Sequence, residues 1–316
     1  MEQYNSLDNL NLKSTVLSIG SFDGVHLGHH QILNKVNDLS RKHDLESIII
    51  TFDPIPYVYI NNIKDPYNLF SNTEKKDQIS KFGINYLITL TFDDNLASQN
   101  PESFFRKYLG NIGINYLVIG YDFKLGKNKS GTLPVLQNIG RNNGFEVIII
   151  PPLKVDNQIV SSSLIRETLK TGHIKKVNEY LGRAYSIRGM IEFGDQRGQK
   201  IGFPTANLNY CKNRLLPKNG VYATISNIND KKYFSVTNIG FKPTFNDYII
   251  SQSIETHILN FNNNIYKKNI TIEFFDKIRD EIKFKNADEL KLQISKDILY
   301  TKKVLANVNQ TSSLLT

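Results

Sequence analysis

The sequence predicts an α/β fold followed by an all-β fold: an N-terminal doubly wound parallel sheet, then a C-terminal antiparallel β-barrel with a closing helix. Between residues 15 and 151, short β-branched runs alternate with helical patterns, which is typical of a parallel sheet covered by helices on both faces. Residues 185–275 instead show period-two segments divided by Gly, Asn, Asp and Pro, which indicates an antiparallel barrel or sandwich. We therefore expect two domains, 1–183 and 184–316.

The elements follow from these patterns in chain order. The predicted N-terminal strands are near-continuous apolar runs, as expected where both faces of a sheet are covered; they are 15–20, 47–52, 86–91, 116–120 and 146–150. The predicted helices between and after them are 29–42, 73–82, 101–109, 133–143, 163–170 and 174–181. The predicted barrel strands include 223–227, 233–239, 253–261 and 270–275, and 286–305 forms the closing helix.

Composition restricts the classes of function. The chain has 316 residues and a net charge of +9, which suits an anionic ligand, but its Lys and Arg form no basic block, so we expect no nucleic-acid partner. The single Cys211 supports neither a disulfide framework nor a thiolate zinc site. No apolar run is long enough to span a membrane. We expect a cytoplasmic protein with small-molecule substrates, either a monomer or a weak homo-oligomer.

A glycine-rich segment, residues 20–29, follows the first predicted strand and places His26 and His29 in an HxGH pattern at the start of a predicted helix. An anion at such a junction meets backbone N–H groups and the positive end of the helix dipole. The imidazoles can add donors beside it, so the pattern is typical of a nucleotide phosphate cradle. A glycine-rich turn with two solvated histidines explains the same residues equally well.

Two further segments accompany the HxGH pattern. Ser161 and Ser162 precede a predicted helix and Arg166 lies in its first turn, an arrangement suited to distal phosphates, although helix capping by serine alone is the simpler interpretation. Asp122 and Phe123 follow a strand and offer a carboxylate and a flat ring, or form an ordinary turn. Together these segments indicate nucleotidyl transfer, in which a substrate phosphate attacks the α-phosphorus of ATP and pyrophosphate leaves.

The C-terminal half contains a dense motif at residues 194–207, with Gly194, Gly198 and Gly202. Its backbone N–H groups could face phosphates, while Thr205 and Asn207 offer hard oxygen ligands on one side of an extended segment. Because magnesium takes few protein oxygens and keeps water and phosphate ligands, the motif predicts a Mg-ATP platform. A glycine-rich hairpin remains an alternative.

A kinase acting on an alcohol also needs a group that orients or deprotonates the hydroxyl. Ser253, Glu255 and His257 share one face of a predicted strand, and Glu255 is a candidate base. The chain has 30 acidic residues, so the residues alone do not single it out from surface carboxylates.

The motifs and their order resemble the bifunctional riboflavin kinase/FMN adenylyltransferases, the bacterial FAD synthetases. The resemblance extends over residues 15–305. It rests on 20–29, 120–123 and 161–166 in the first half, and on 202–207, 220–222, 238–240, 243–245, Glu255 and 279–284 in the second. It implies a Rossmann-like, nucleotidylyltransferase-like N-terminal domain that adenylylates FMN to FAD. It also implies a C-terminal barrel that phosphorylates riboflavin to FMN, with ATP as substrate and Mg²⁺ as cofactor of this transferase.

The resemblance also implies roles for individual residues. The adenylyltransferase contacts to ATP would be Gly20, Phe22, Asp23, Gly24, His26, His29, Ser161, Ser162 and Arg166. Asp122 and Phe123 would lie near the flavin. The kinase contacts to ATP or flavin would be Gly198, Lys200, Gly202, Pro204, Thr205, Asn207, Glu255 and Arg279. Catalysis would involve His26, His29 and Arg166 in the first site and Glu255 as base in the second, with Thr205 and Asn207 holding the metal.

Three residues depart from the family pattern, all in the first half: Ser21 replaces an Asn, Ile55 replaces a His, and Leu125 replaces an aromatic residue. They motivate one alternative, a riboflavin kinase whose adenylyltransferase half is weak. The positive charge motivates another, a regulator that binds nucleotides or nucleic acid.

Overall fold

The computed structural model of the chain describes residues 1–8, 10–193, 198, 201–243 and 250–312. The chain divides into two compact units, Met1–Ser162 and Ser163–Thr316. The domain boundary expected after residue 183 stays a prediction.

The first unit is built on a six-stranded, all-parallel sheet in the order β1-β4-β3-β2-β5-β6. Its strands are β1 (Glu2–Tyr4), β2 (Thr15–Ile19), β3 (Glu46–Asp53), β4 (Tyr86–Thr91), β5 (Ile114–Gly120) and β6 (Glu146–Ile150). Its helices are α1 (Leu27–His43), α2 (Pro56–Ile60), α3 (Asn72–Ser80), α4 (Asp94–Ala97), α5 (Pro101–Leu109) and α6 (Leu133–Asn143). A small hairpin, β7 (Lys154–Val155) and β8 (Gln158–Ile159), follows.

Both faces of this sheet carry apolar side chains, as the near-continuous apolar runs predict. Leu17 and Ile19 of β2 pack into the core on one face, while Val16 packs into the core on the other. The strand order reverses between β2 and β5, because the chain proceeds outward from β2 on one side and from β5 on the other. In doubly wound sheets ligands bind at this reversal, beyond the carboxyl ends of the strands.

The second unit is a closed six-stranded antiparallel barrel in the order β10-β13-β12-β11-β14-β9. It begins with α7 (Ser162–Thr171), whose first residue belongs to the first unit, and α8 (Ile174–Leu181). Its strands are β9 (Tyr185–Glu192), β10 (Ala206–Tyr210), β11 (Gly220–Ile228), β12 (Lys231–Pro243), β13 (Ile250–Ile258) and β14 (Asn269–Arg279), and α9 (Ala287–Ser312) closes it. The predicted fold class is confirmed in both units.

Several short elements were not predicted from the sequence. Strand β1 has three residues, two of them polar, and pairs in parallel with the edge of β4. Helices α2 and α4 have five and four residues, so each is too short to show a helical period. These elements depend on tertiary pairing or on local caps, which a hydrophobic pattern does not reveal.

An ion pair joins the last barrel strand to the closing helix. The Arg279 guanidinium donates to both carboxylate oxygens of Asp297, with a closest N–O distance of 2.8 Å. Asp297 is 2% exposed, and Gln293 also donates to it at 2.9 Å. A desolvated carboxylate that loses such a partner is costly, so this pair contributes to the attachment of α9.

We expect Asp297→Asn to lower the free energy of unfolding by about 3 kcal/mol, because the substitution leaves the largely buried guanidinium without its counter-charge. Asp288→Asn, on the same helix, is the control, since that carboxylate is 93% exposed and pairs only loosely with Lys291 at 3.9 Å. Urea denaturation followed by circular dichroism measures both. Equal stability of the two variants would show that the pair does not hold α9.

Candidate functional site

The HxGH segment lies beyond the carboxyl end of a central strand of the sheet, as predicted. Strand β2 ends at Ile19, the Gly20 N–H donates to the Ile50 carbonyl at 3.0 Å, and α1 begins at Leu27. Strand β5, the neighbour across the reversal of strand order, ends at Gly120 and is followed directly by Asp122 and Phe123. The structure therefore places the two predicted segments after adjacent strands on one rim.

Three side-chain donors hold three carbonyl groups of the loop that joins β2 to α1. The hydrogen bonds are Thr51 Oγ1 to Ser21 O (3.0 Å), Ser162 Oγ to Asp23 O (2.7 Å) and His30 Nε2 to Val25 O (3.0 Å). In a planar trans peptide the C=O and N–H groups point in opposite directions. Each bond therefore turns the N–H of the next residue, Phe22, Gly24 or His26, away from the donor that holds the carbonyl.

The loop backbone is contorted. Phe22, Gly24 and Val25 have φ values of 44°, 81° and 38°, a region that side chains other than glycine enter at a cost. Such a conformation persists only where surrounding contacts impose it, and the three anchored carbonyls do so here. Contorted loops of this kind can present several main-chain N–H groups to one anion, as anion-binding backbone cradles do.

The side chain of Asp23 links this loop to the segment before α3 by hydrogen bonds. It is 2% exposed, and its carboxylate accepts hydrogen bonds from the Leu69 N–H (2.9 Å and 3.0 Å) and the Phe70 N–H (3.1 Å). Asp23 therefore fixes the segment before α3. The ATP contact that the family pattern implies for this residue stays a prediction.

The two histidines form one structural unit. His26 caps α1, with its Nδ1 accepting the His29 N–H at 3.3 Å, so in the neutral ring the proton lies on Nε2. The imidazoles stack at a centroid distance of 3.7 Å and an interplanar angle of 18°. Between them, a Cβ on Gly28 would lie 3.1 Å from the His26 ring. The HxGH pattern thus has a geometric basis. His26 caps the helix, Gly28 leaves room beside the His26 ring, and His29 donates its N–H to that ring and stacks on it.

Other predicted residues of the first site have different surroundings. Asp122 is exposed and Phe123 packs partly into the core. Arg166 is buried in α7 and belongs to the second unit. Two of the departures from the family pattern are buried: Ile55 is 5% exposed and Leu125 is 7% exposed. Both side chains therefore pack in the protein interior.

A buried lysine near the loop was missed by sequence reasoning. Lys75 is 3% exposed, and its Nζ donates to Thr51 Oγ1 at 3.1 Å. Burial lowers the pKa of Lys75, an effect that the nearby Asp23 and Asp53 carboxylates oppose. Its spacing in the sequence could have indicated its burial. Lys75 lies four residues before the buried Ile79, and residues four apart share one face of a helix.

In the barrel, strand register brings the predicted kinase residues together. Asn207 of β10 pairs with Glu255 of β13, and Glu255 pairs with Asn238 of β12. Directly opposed residues on neighbouring strands point to the same face, with their Cβ atoms about 5 Å apart. The row continues along β11 to Arg279 of β14. The burial of Ile254 and Thr256 on alternate positions confirms the strand period around Glu255.

The loop before β10 packs against the same strand. The His257 Nδ1–H donates to the Pro204 carbonyl at 2.8 Å, while the Gly198 carbonyl accepts from the N–H groups of Ile201 and Phe203. Thr205 Oγ1 would lie 3.3 Å from a Cβ on Gly198, so the hydroxyl lies beside this turn. Gly202, with φ of 88°, completes the turn.

Some predicted positions lie outside the described residues. They are Lys200 and residues 194–197, 199, 244 and 245 of the kinase motifs. The guanidinium of Arg279 lies within the described part, where it bonds to Asp297, as given above. Among the residues that the structure describes, no group of three or more His, Cys, Asp or Glu side chains could hold a metal ion.

Two family models match the chain in succession. The model described as FAD synthetase matches residues 8–164, and the model described as riboflavin kinase matches residues 181–305. The first match contains the loop between β2 and α1, and the second contains the row of Asn207, Glu255 and Asn238.

Similar proteins cover nearly the whole chain. A bifunctional riboflavin kinase/FMN adenylyltransferase of Buchnera aphidicola subsp. Schizaphis graminum is 36% identical over 301 residues, which is 94% of this chain and 96% of the relative. The enzyme of that name from Bacillus subtilis is 35% identical over 285 residues, 90% of each chain. Both relatives therefore share both halves.

A solved structure has the same overall fold. A crystal structure described as a macrolide-efflux protein from Streptococcus pneumoniae superimposes with a TM-score of 0.87 at 29% identity, covering 95% of this chain and 98% of that one. Within the described part of the present chain, no helix is both long and apolar enough to cross a membrane.

We expect Asp23→Asn to open the segment before α3, because an amide supplies one acceptor oxygen in place of two and adds donors that face N–H groups. Hydrogen exchange at the Leu69 and Phe70 amides should accelerate by about tenfold or more. Asp53→Asn is the control, since that exposed carboxylate accepts from the Asn72 side chain on the same rim. Unchanged exchange at both amides in Asp23→Asn would contradict the structural role.

Proposed function

The chain belongs to the bifunctional riboflavin kinase/FMN adenylyltransferase family, and we propose that it phosphorylates riboflavin to FMN and adenylylates FMN to FAD, using ATP in both reactions. The observation that carries the proposal is the presence of two separately built sites. The anchored loop with its stacked histidines lies in the first unit, and the row of Asn207, Glu255 and Asn238 lies in the second.

In the first site, a phosphate oxygen of FMN attacks the α-phosphorus of ATP, and the bond to pyrophosphate breaks. This chemistry needs alignment and charge stabilisation instead of a protein nucleophile. The N–H groups of Phe22, Gly24 and His26 are directed by their anchored peptides, and the His26 and His29 rings supply further donors. Fixed donors of this kind stabilise the charge that develops on the phosphoryl oxygens. The phosphate contact of Arg166 and the flavin contacts of Asp122 and Phe123 stay predictions.

In the second site, a ribityl hydroxyl of riboflavin attacks the γ-phosphorus of ATP, and ADP leaves. Glu255 accepts the hydroxyl proton, a role that its carboxylate can fill from the outer face of β13. Asn207, directly opposite on β10, and Thr205, two residues before it, face the nucleotide. The remaining predicted nucleotide or flavin contacts of this site stay predictions.

The residues present fit a magnesium ion at the kinase site. Thr205 and Asn207 offer neutral, hard oxygen atoms next to a carboxylate, and magnesium takes few protein ligands when phosphates and water complete its shell. When bound, the ion neutralises charge on the transferred phosphoryl group. That Asn207 and Thr205 hold it, that no nucleic acid takes part, that the chain is a monomer or a weak homo-oligomer and that the location is cytoplasmic all stay predictions.

The three departures from the family pattern do not remove the contacts described for the first site. Ser21 contributes its main-chain carbonyl to the anchored loop, which any residue provides. Ile55 and Leu125 are core residues. We therefore favour the two-reaction enzyme over a kinase with a weak adenylyltransferase half.

We expect His29→Ala to lower FAD formation from FMN by about 100-fold, because one fixed donor at a developing phosphoryl charge is lost. FMN formation from riboflavin should change by less than about twofold, since that reaction uses the other unit. Chromatography of the flavins measures both rates in the same preparation. His43→Ala, an exposed position at the far end of α1, is the control. Equal loss of both activities would contradict two separate sites.

We expect Glu255→Gln to have the opposite effect. The amide keeps the shape but cannot accept the hydroxyl proton, so riboflavin phosphorylation should fall by about 100-fold or more. The rate of FAD formation from added FMN should stay at the level of the unmodified protein. Glu273→Gln on β14 is the matched control. An undiminished phosphorylation rate in Glu255→Gln would dismiss this residue as the base.

A further inference from the structure

A buried lysine lies beneath the adenylyltransferase loop. Lys75 stands in the first turns of α3, whose start is fixed by a capping box between Ser71 and Glu74. Its side chain points inward and is 3% exposed. A fixed helix start and full burial leave the Nζ little freedom, and they also keep it away from any bound substrate.

The ammonium group fixes the direction of a hydrogen bond. Protonated lysine has three donors and no acceptor, so the contact from Lys75 Nζ to Thr51 Oγ1 at 3.1 Å obliges the hydroxyl oxygen to accept. The single proton of Thr51 is then left for the Ser21 carbonyl, 3.0 Å away. A short relay thus runs from α3 through the end of β3 to the loop.

The relay ends on a peptide of the cradle. Because the Ser21 carbonyl points toward Thr51, the N–H of Phe22 points to the opposite side of the peptide. The φ of 44° at Phe22 is unfavourable for an aromatic residue, so this conformation needs such an anchor. The Ser21 anchor depends on a charged group, through the donor to Thr51. The others end on Ser162 and His30.

Neighbouring carboxylates partly offset the positive charge of Lys75. The carboxylates of Asp23 and Asp53 both act on it, and Asp23 is itself 2% exposed. A lysine at a core position of a helix is expensive to bury, and an apolar side chain of the same length would pack there without that cost. Its presence indicates a task that methionine or leucine could not perform.

We propose that Lys75 is a positioning residue for adenylyl transfer, which acts through the Thr51 hydroxyl to hold the Ser21–Phe22 peptide with its N–H toward the phosphates of ATP. The inference rests on the proposed adenylyltransferase function. Because Lys75 is buried, it acts on the nucleotide only through this relay.

The test compares variants along the relay in the full-length protein. Lys75→Met keeps the length and removes the charge, Thr51→Val keeps the shape and removes the hydroxyl, and Thr51→Ser keeps the hydroxyl and removes a methyl group. The double variant Lys75→Met/Thr51→Val completes a cycle, and Lys81→Met, an exposed lysine at the end of α3, is the control. The kcat and KM for ATP are measured for FAD formation from FMN, with riboflavin phosphorylation and thermal unfolding measured on each preparation.

We expect Lys75→Met and Thr51→Val each to lower kcat/KM for ATP in FAD formation by about tenfold or more, with riboflavin phosphorylation unchanged. The double variant should lose no more than the worse single variant, because the two residues act in series. Thr51→Ser should restore most of the activity that Thr51→Val loses. A purely packing role predicts the reverse, since serine loses volume and valine does not.

Three results would overturn the inference: activity of Lys75→Met within about threefold of the unmodified protein, losses that multiply in the double variant, or Thr51→Ser as impaired as Thr51→Val. If Lys75→Met fails to fold, as its unfolding curve would show, the contrast between Thr51→Ser and Thr51→Val decides. Absence of FAD formation in the unmodified protein would refute the proposed function itself. FAD formation with an unaffected Lys75→Met would refute only the role of the lysine.

Discussion

The loop after β2 depends on the hydrogen bonds that hold three of its carbonyl groups. They help to impose the positive φ angles at Phe22 and Val25, and they fix the directions of the N–H groups of Phe22, Gly24 and His26. Their donors come from β3, from the start of α7 and from α1 itself. The conformation of this candidate phosphate-binding loop therefore depends on several converging elements and on more than its glycines.

In the second unit, strand register brings the candidate kinase residues together instead. Asn207, Glu255 and Asn238 are far apart in the sequence, yet they lie side by side because three antiparallel strands pair in one register. A slip of one residue in any of these strands would turn a member of the row into the barrel interior. The ion pair of Arg279 with Asp297 then ties the closing helix to the strand at the end of the same row.

The sequence predicted the long elements and both motifs, because apolar periodicity and glycine spacing are local properties. It did not predict that Asp23 accepts hydrogen bonds from the backbone before α3, or that Lys75 donates to Thr51, because these contacts join residues 46 and 24 positions apart. The HxGH pattern was equally consistent with a solvated turn. The cap on α1, the ring stacking and the burial of His26 exclude a pair of solvated imidazoles, while phosphate binding stays a prediction.

We propose that one chain carries out two consecutive ATP-dependent reactions. A time course with purified protein, riboflavin and excess Mg-ATP, followed by chromatography of the flavins, tests it most directly. We expect FMN to appear first and then to decline as FAD accumulates with release of pyrophosphate. Accumulation of FMN alone, even when FMN is supplied at the start, would contradict it.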